Sequence, residues 1–98
     1  MGPRIIEHKK LGVRLVIRAP EDLTQADLER FGAAICADKG LSKSEQEGAN
    51  VRAGLAAGWI LEPAWTPEQV GAQRPAVIKW IAAFVDALYK EVTTIPPE

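Results

Sequence analysis

The chain holds one cysteine, Cys36, and one histidine, His8, among its 98 residues. No intrachain disulfide can form, and one Cys with one His cannot make a standard zinc site. The same scarcity leaves Cys36 and His8 as the one nucleophile–base combination of the Cys–His kind. That combination would need the two side chains adjacent in space and a third group to orient them. Cys36 sits beside an apolar stripe of Leu28, Phe31 and Ile35, where an inert buried thiol is the simpler reading. His8 is expected at a strand end or turn, facing solvent. No glycine-rich phosphate loop, low-complexity tract or internal repeat is present. No apolar run approaches the ~20 residues that span a membrane, and Met1 to Lys10 lacks the apolar core of a signal peptide. A lone thiol suits a reducing compartment. These absences predict a cytoplasmic protein with no catalytic residues, no cofactor and no metal.

What is present is ordinary globular material, 47% hydrophobic and 26% charged, which argues against disorder. The length predicts a single domain over 1–98. Net charge is −1 but unevenly placed. Residues 1–18 carry Arg4, Lys9, Lys10, Arg14 and Arg18 against Glu7, whereas residues 19–50 carry three basic and seven acidic side chains. A basic arm on an acidic body gives nucleic-acid binding no global electrostatic support. The arm also has no interleaved aromatic for base stacking. Its plain reading is a sheet edge guarded by charge.

Hydrophobic patterning predicts an α+β fold, an N-terminal β-hairpin packed on a bundle of about three α-helices. Residues 1–18 form the basic hairpin, 24–93 the helical body and 94–98 an extended tail. Arg4–His8 and Val13–Arg18 read as strands, the second with Val13, Leu15 and Ile17 on one face. Gly12 is the expected positive-φ residue of the turn. Ala19-Pro20 stops the second strand. Thr24 with Asp27 resembles a capping box opening a helix that runs to about Asp38, with Lys39-Gly40 as its stop. A second helix starts at Ser42 or Ser44, each followed three residues later by Glu, and ends near Gly58. Trp59 to Trp65 reads as a connection. Thr66-Pro67-Glu68-Gln69 caps a short helical turn ending at Gly71, and Pro75 opens the last helix. Val77, Ile78, Ile81, Phe84, Val85, Leu88 and Val92 then recur at a 3.6-residue period. Ile95-Pro96-Pro97-Glu98 cannot continue that helix.

Several residues exceed what folding alone requires. Gly54 and Gly58 lie in a helix whose small positions include Ala49, Ala53 and Ala57. An interior glycine costs ~0.5–1 kcal/mol there, which close backbone approach can offset. A tight contact within the chain is the favoured explanation, ahead of a partner interface. Trp59, Trp65 and Trp80 are expected to pack together where the connection crosses the last helix, and one left exposed would be an interface anchor. The candidate partner interface is therefore Gly54, Gly58, Trp59 and Trp65, together with Arg14 and Arg18 of the hairpin, which could dock a protein strand.

The second half also resembles a known class of proteins. Val51-Arg52-Ala53, Ala57-Gly58-Trp59, Thr66-Pro67-Glu68-Gln69-Val70, Pro75-Ala76-Val77-Ile78-Lys79-Trp80-Ile81 and Ile95-Pro96-Pro97 are similar to small tail assembly chaperone-like proteins of long-tailed phages and prophages. The resemblance implies a non-enzymatic protein of phage origin that acts in the host cell cytoplasm by protein–protein contact. Its implied partner is the tape-measure protein or a tail-tube subunit. Two alternatives stand beside it: a small phage inhibitor binding a host defence effector or polymerase, and a nucleic-acid-binding module using the basic arm.

Overall fold

Residues 2–35 and 40–95 are described by the structure, a computed structural model. Strands β1 (Arg4–His8) and β2 (Val13–Ile17) pair antiparallel, from Arg4 opposite Ile17 to His8 opposite Val13. Gly12 closes the hairpin at φ +67°, its N–H donating to the His8 carbonyl at 2.9 Å. That backbone region is open to glycine at no steric cost, as the sequence predicts.

A third strand, β3 (Ile60–Glu62), pairs antiparallel with the other side of β2. The expectation of an unbroken connection from Trp59 to Trp65 is corrected here. β2 is the central strand, with Leu15, Val16 and Ile17 all buried. Its second row of backbone groups therefore needs a partner. β3 supplies one, although three residues ahead of a proline carry no strand period of their own. A bulge between Val16 and Ile17 adjusts the register.

The helices follow their local punctuation. Helix α1 (Gln25–Ile35) is opened by Thr24. The Thr24 N–H donates to Asp27 Oδ2 at 2.9 Å, and the Asp27 N–H donates to Thr24 Oγ1 at 3.3 Å. The expected helix end near Asp38, the thiol of Cys36 and the stop at Lys39 lie outside the described residues. Helix α2 (Lys43–Ala56) begins with a full capping box between Ser42 and Glu45, which settles the choice between Ser42 and Ser44. It ends in a Schellman motif: the Trp59 N–H donates to the Gly54 carbonyl at 2.8 Å and the Gly58 N–H to the Leu55 carbonyl at 3.2 Å. Gly58 takes φ +77° at the turn, the usual place for a left-handed glycine. Helix α3 (Pro67–Gly71) carries the predicted Thr66–Gln69 capping box, and α4 (Pro75–Thr93) starts at its proline. Arg52 of α2 ties α3 down, donating from Nε to the Pro67 carbonyl at 3.0 Å. Thr94 and Ile95 leave the helix, with Ile95 exposed. The rest of the expected tail, Pro96 to Glu98, lies outside the described residues.

The core forms where α4 lies against α2 and the sheet. Val77, Ile78, Ile81, Val85 and Leu88 are buried, while Phe84 and Val92 pack at its margin. Gly54 allows the close approach of α2. A Cβ there would sit 3.1 Å from Ile60 Cδ1 and 3.3 Å from Val85 Cγ2. The small-residue face of α2 thus serves a contact within the chain. Replacing Gly54 with leucine should overpack this junction and destabilise the fold by about 1–3 kcal/mol. Urea unfolding should show a lowered midpoint with little change in slope.

Candidate protein interface

The six residues singled out from the sequence do not form one surface. Gly54 and Trp59 are buried, and both are corrected from interface to interior. Gly54 is filled against by Ile60 and Val85. Trp59 is fully enclosed because the Schellman turn throws it back over the end of α2. Its ring stacks on Phe31 of α1, centroids 4.2 Å apart, and its Nε1–H donates to the Asp27 carbonyl at 3.2 Å. Its carbonyl accepts from the Arg18 N–H at 2.9 Å. Gly58 has a conformational role at the helix stop. Trp65 is half-buried beside Arg52, Leu55, Ala56 and Pro67.

The three tryptophans do not pack together either. Trp80 makes edge contacts with Phe84 at 5.1 Å and with His8 at 5.4 Å. Among the described residues no ring contact joins two tryptophans. The solvent-facing expectation for His8 is corrected by the same contact. Strand alternation puts His8 on the face shared with Arg4 and Ile6, turned toward α4. Its Nδ1 accepts the Leu11 N–H at 3.2 Å.

Three of the basic arm's five cations are paired with carboxylates. Arg4 forms a two-pronged pair with Glu91 at the end of α4, at 3.2 and 3.0 Å. Arg14 faces Glu62 at 3.4 Å across the outer side of the sheet. Arg18 approaches Asp27 at 3.5 Å and donates to the Asp22 carbonyl at 2.6 Å. Arg18 therefore belongs to a structural junction and is less available to a partner than its sequence position implies. Lys9 and Lys10 remain exposed at the hairpin tip.

Asp27 is the buried charge that sequence reasoning took for a simple cap. Its carboxylate accepts from the Thr24 N–H, from the Thr24 hydroxyl at 3.0 Å, and from Arg30, while Arg18 lies alongside. The Thr24 backbone hydrogen bond is the main cause holding its pKa below the ordinary carboxylate value; the Thr24 hydroxyl, Arg18 and Arg30 act in the same direction and burial opposes them. Glu45 is lowered by its bonds to Ser42, and Glu91 chiefly by the hydrogen bond from Arg4.

What the outer side of the sheet offers instead is a mixed surface. Ile5 stands opposite Val16, and Val16 opposite Glu62. Ile5 is 58% exposed and Leu61, beside Glu62, is 49% exposed. Val16 lies between Ile5 and Glu62 in the sheet, and Arg14, two residues before Val16 on β2, reaches Glu62 beside Leu61. Ile5 was legible in principle: in Ile5-Ile6 only one of two consecutive strand residues can face the core. Leu61 carries no such signal, because its strand was not visible. Among the described residues no group of three or more His, Cys, Asp or Glu is placed to hold a metal ion, and no helix is long and apolar enough to cross a membrane. The shallow groove between α2 and α4 is lined by both signs of charge, with Lys43 and Lys79 beside Glu47 and Asp86.

Comparison with known proteins attaches no relative to this arrangement: no family model, curated protein or solved structure matches the chain.

The depressed carboxylates fix the sign of the acid response. A group whose pKa is lower folded than unfolded adds stability above its unfolded pKa, and that stability is lost as pH falls through the folded value. Stability should therefore be flat near neutrality and fall below about pH 4, the unfolded range of Asp and Glu. Asp27→Asn should lower the thermal midpoint at pH 7, with the gap to the parent protein narrowing toward pH 3. A gap independent of pH would assign the loss to packing. Trp59→Ala should cost about 3–5 kcal/mol, as expected of a core tryptophan, measured by chemical denaturation.

Proposed function

We propose that the protein acts by protein–protein contact, without catalysis, in phage or prophage tail assembly. The observation that carries the contact reading is the outer side of the sheet. It exposes Ile5 at one strand and Leu61 beside the Arg14–Glu62 pair, an apolar and charged mixture of the kind found in transient interfaces. The placement of the charges lends further support. Arg4, Arg14 and Arg18 each face a carboxylate of the chain itself, so phosphate binding by the arm would have to compete with those pairs. That weighs against the nucleic-acid alternative. The tail-assembly setting rests on the likeness of residues 51–98 to tail assembly chaperone-like proteins. It names the tape-measure protein or a tail-tube subunit as partner.

Co-expression of the tagged chain with the tape-measure and tail-tube proteins of its own genome tests this directly. One of them should co-purify at a fixed ratio, and Leu61→Lys should reduce its retention about tenfold or more, the loss of a hot-spot contact. Leu61 is half-exposed, so the variant should keep the parent's circular dichroism. Retention of neither protein would overturn the tail-assembly reading. Retention insensitive to Leu61→Lys would move the interface off the sheet.

A further inference from the structure

Leu11, in the turn of the hairpin, is held at both of its backbone groups by side chains. Its N–H donates to His8 Nδ1 at 3.2 Å, and its carbonyl accepts from Arg74 Nη2 at 2.8 Å. Arg74 is the N-cap of α4, and Trp80 lies further along the same helix. The His8 ring meets Trp80 at right angles, with centroids 5.4 Å apart. The Leu11 side chain packs at the margin of the core. One titratable ring therefore touches both the turn and α4. An imidazole nitrogen accepts a hydrogen bond only while it carries no proton. His8 Nδ1 is bare in this arrangement, which puts the ring proton on Nε2. On the strand side, Glu7, Lys9 and Arg14 line the same shallow hollow as His8. From α4, Trp80 faces the ring and Arg74 reaches the Leu11 carbonyl. Arg14 is paired with Glu62, and among the described residues no carboxylate is paired with the imidazole.

We infer that His8 is a proton-operated latch on the hairpin turn: the neutral ring holds the turn closed through Leu11, and the protonated ring releases it. The step is the transfer of one proton from solvent to Nδ1. The ring then has two donors and no acceptor, so it meets the Leu11 N–H donor to donor and that bond is lost. The bond from the Gly12 N–H to the His8 carbonyl does not involve the ring and still closes the strands. An imidazolium 5.4 Å from an indole is also within the ~6 Å reach of a cation–π contact, which offsets part of the loss. The release is therefore local: the turn loosens while the sheet and core stay formed. Lys9 and Lys10, exposed on the same turn, are the side chains whose placement it changes. Histidine is the side chain whose charge ordinarily changes between pH 5 and 8, and His8 is the one histidine of the chain. The inference does not rest on the tail-assembly reading, and its failure would leave Leu61 and the outer face untouched.

NMR of the full chain, titrated from pH 8 to pH 5, tests the latch. At pH 8 the ring nitrogen shifts of His8 should report the Nε2–H tautomer. As the ring gains its proton, protection of the Leu11 amide from solvent exchange, corrected for the intrinsic pH dependence of exchange, should fall about five- to tenfold, the worth of one hydrogen bond. It should fall with the same midpoint as the ring, while the Ile81 and Val85 amides inside α4 keep their protection. Two variants separate the latch from a general loosening. His8→Asn retains a side-chain acceptor that does not titrate, so Leu11 should stay protected across the range. His8→Phe keeps a ring against Trp80 without an acceptor, so Leu11 should exchange fast at every pH. An Nδ1–H tautomer at pH 8, Leu11 protection that does not follow the ring, a pH dependence that survives His8→Asn, or Leu11 protection undiminished in His8→Phe would each overturn the inference. The titration of the parent protein decides the matter even where a variant fails to fold.

Discussion

Trp59 is the point through which the elements of this fold are tied to one another. Four of its groups are engaged, with three different segments. Its N–H closes the end of α2 on Gly54, its carbonyl receives Arg18 just after β2, its indole N–H reaches Asp27 in α1, and its ring covers Phe31. β3 begins at the next residue. Removing water from an indole of this size is among the largest single apolar contributions a small core can have. The polar edge of the ring is also satisfied, so burial carries no unpaired donor. A 98-residue chain has little spare stability, and the position of Trp59 is set by a turn that needs a left-handed residue at Gly58. The Schellman motif at the end of α2 is therefore a tertiary device as much as a local one.

The Asp27 cluster is the polar counterpart of that junction. Arg18 reaches over from the end of β2 to the first turn of α1, and Arg30 approaches from within the helix. A buried carboxylate with this many donors is held ionised, and the arrangement ties the first turn of α1 to the end of β2. Trp59 hydrogen-bonds the backbone carbonyl of the same residue. The apolar and polar junctions therefore share Asp27, and a change at either should be felt at the other. Residues in one network couple in this way, whereas distant sites add.

How much of this was legible follows the range of the interactions. Features decided within four residues read directly. Ser42 with Glu45, Thr66 with Gln69, Pro75 and Gly12 all sit where local chemistry puts them, and the α4 stripe from Val77 to Leu88 is buried as its period requires. Features decided by distant partners did not read. β3 exists because β2 needs a second neighbour, and nothing in Ile60-Leu61-Glu62 announces it. Gly54 read correctly as a site of close approach, but its partners Ile60 and Val85 come from two other elements. Trp59 looked like a surface anchor because a large aromatic next to a glycine has no helical period to place it. The geometry of the helix stop, together with Phe31 far upstream, decides its burial.

The same distinction bears on which exposed groups carry meaning. A single exposed isoleucine is common on protein surfaces and carries no message by itself. Ile5 differs in its setting, on the sheet edge that lacks a bulge and whose arginine is already paired. The arm's positive charge, conspicuous in the sequence, is largely balanced once the chain folds: Glu91, Glu62 and Asp27 each face one of its arginines. The exposed pairs, those with Glu91 and Glu62, add roughly 0–1 kcal/mol each. Their larger effect is on what the surface presents, because pairing removes the long-range field that would attract an anion and leaves shape and backbone hydrogen bonding as the features of the β1 edge.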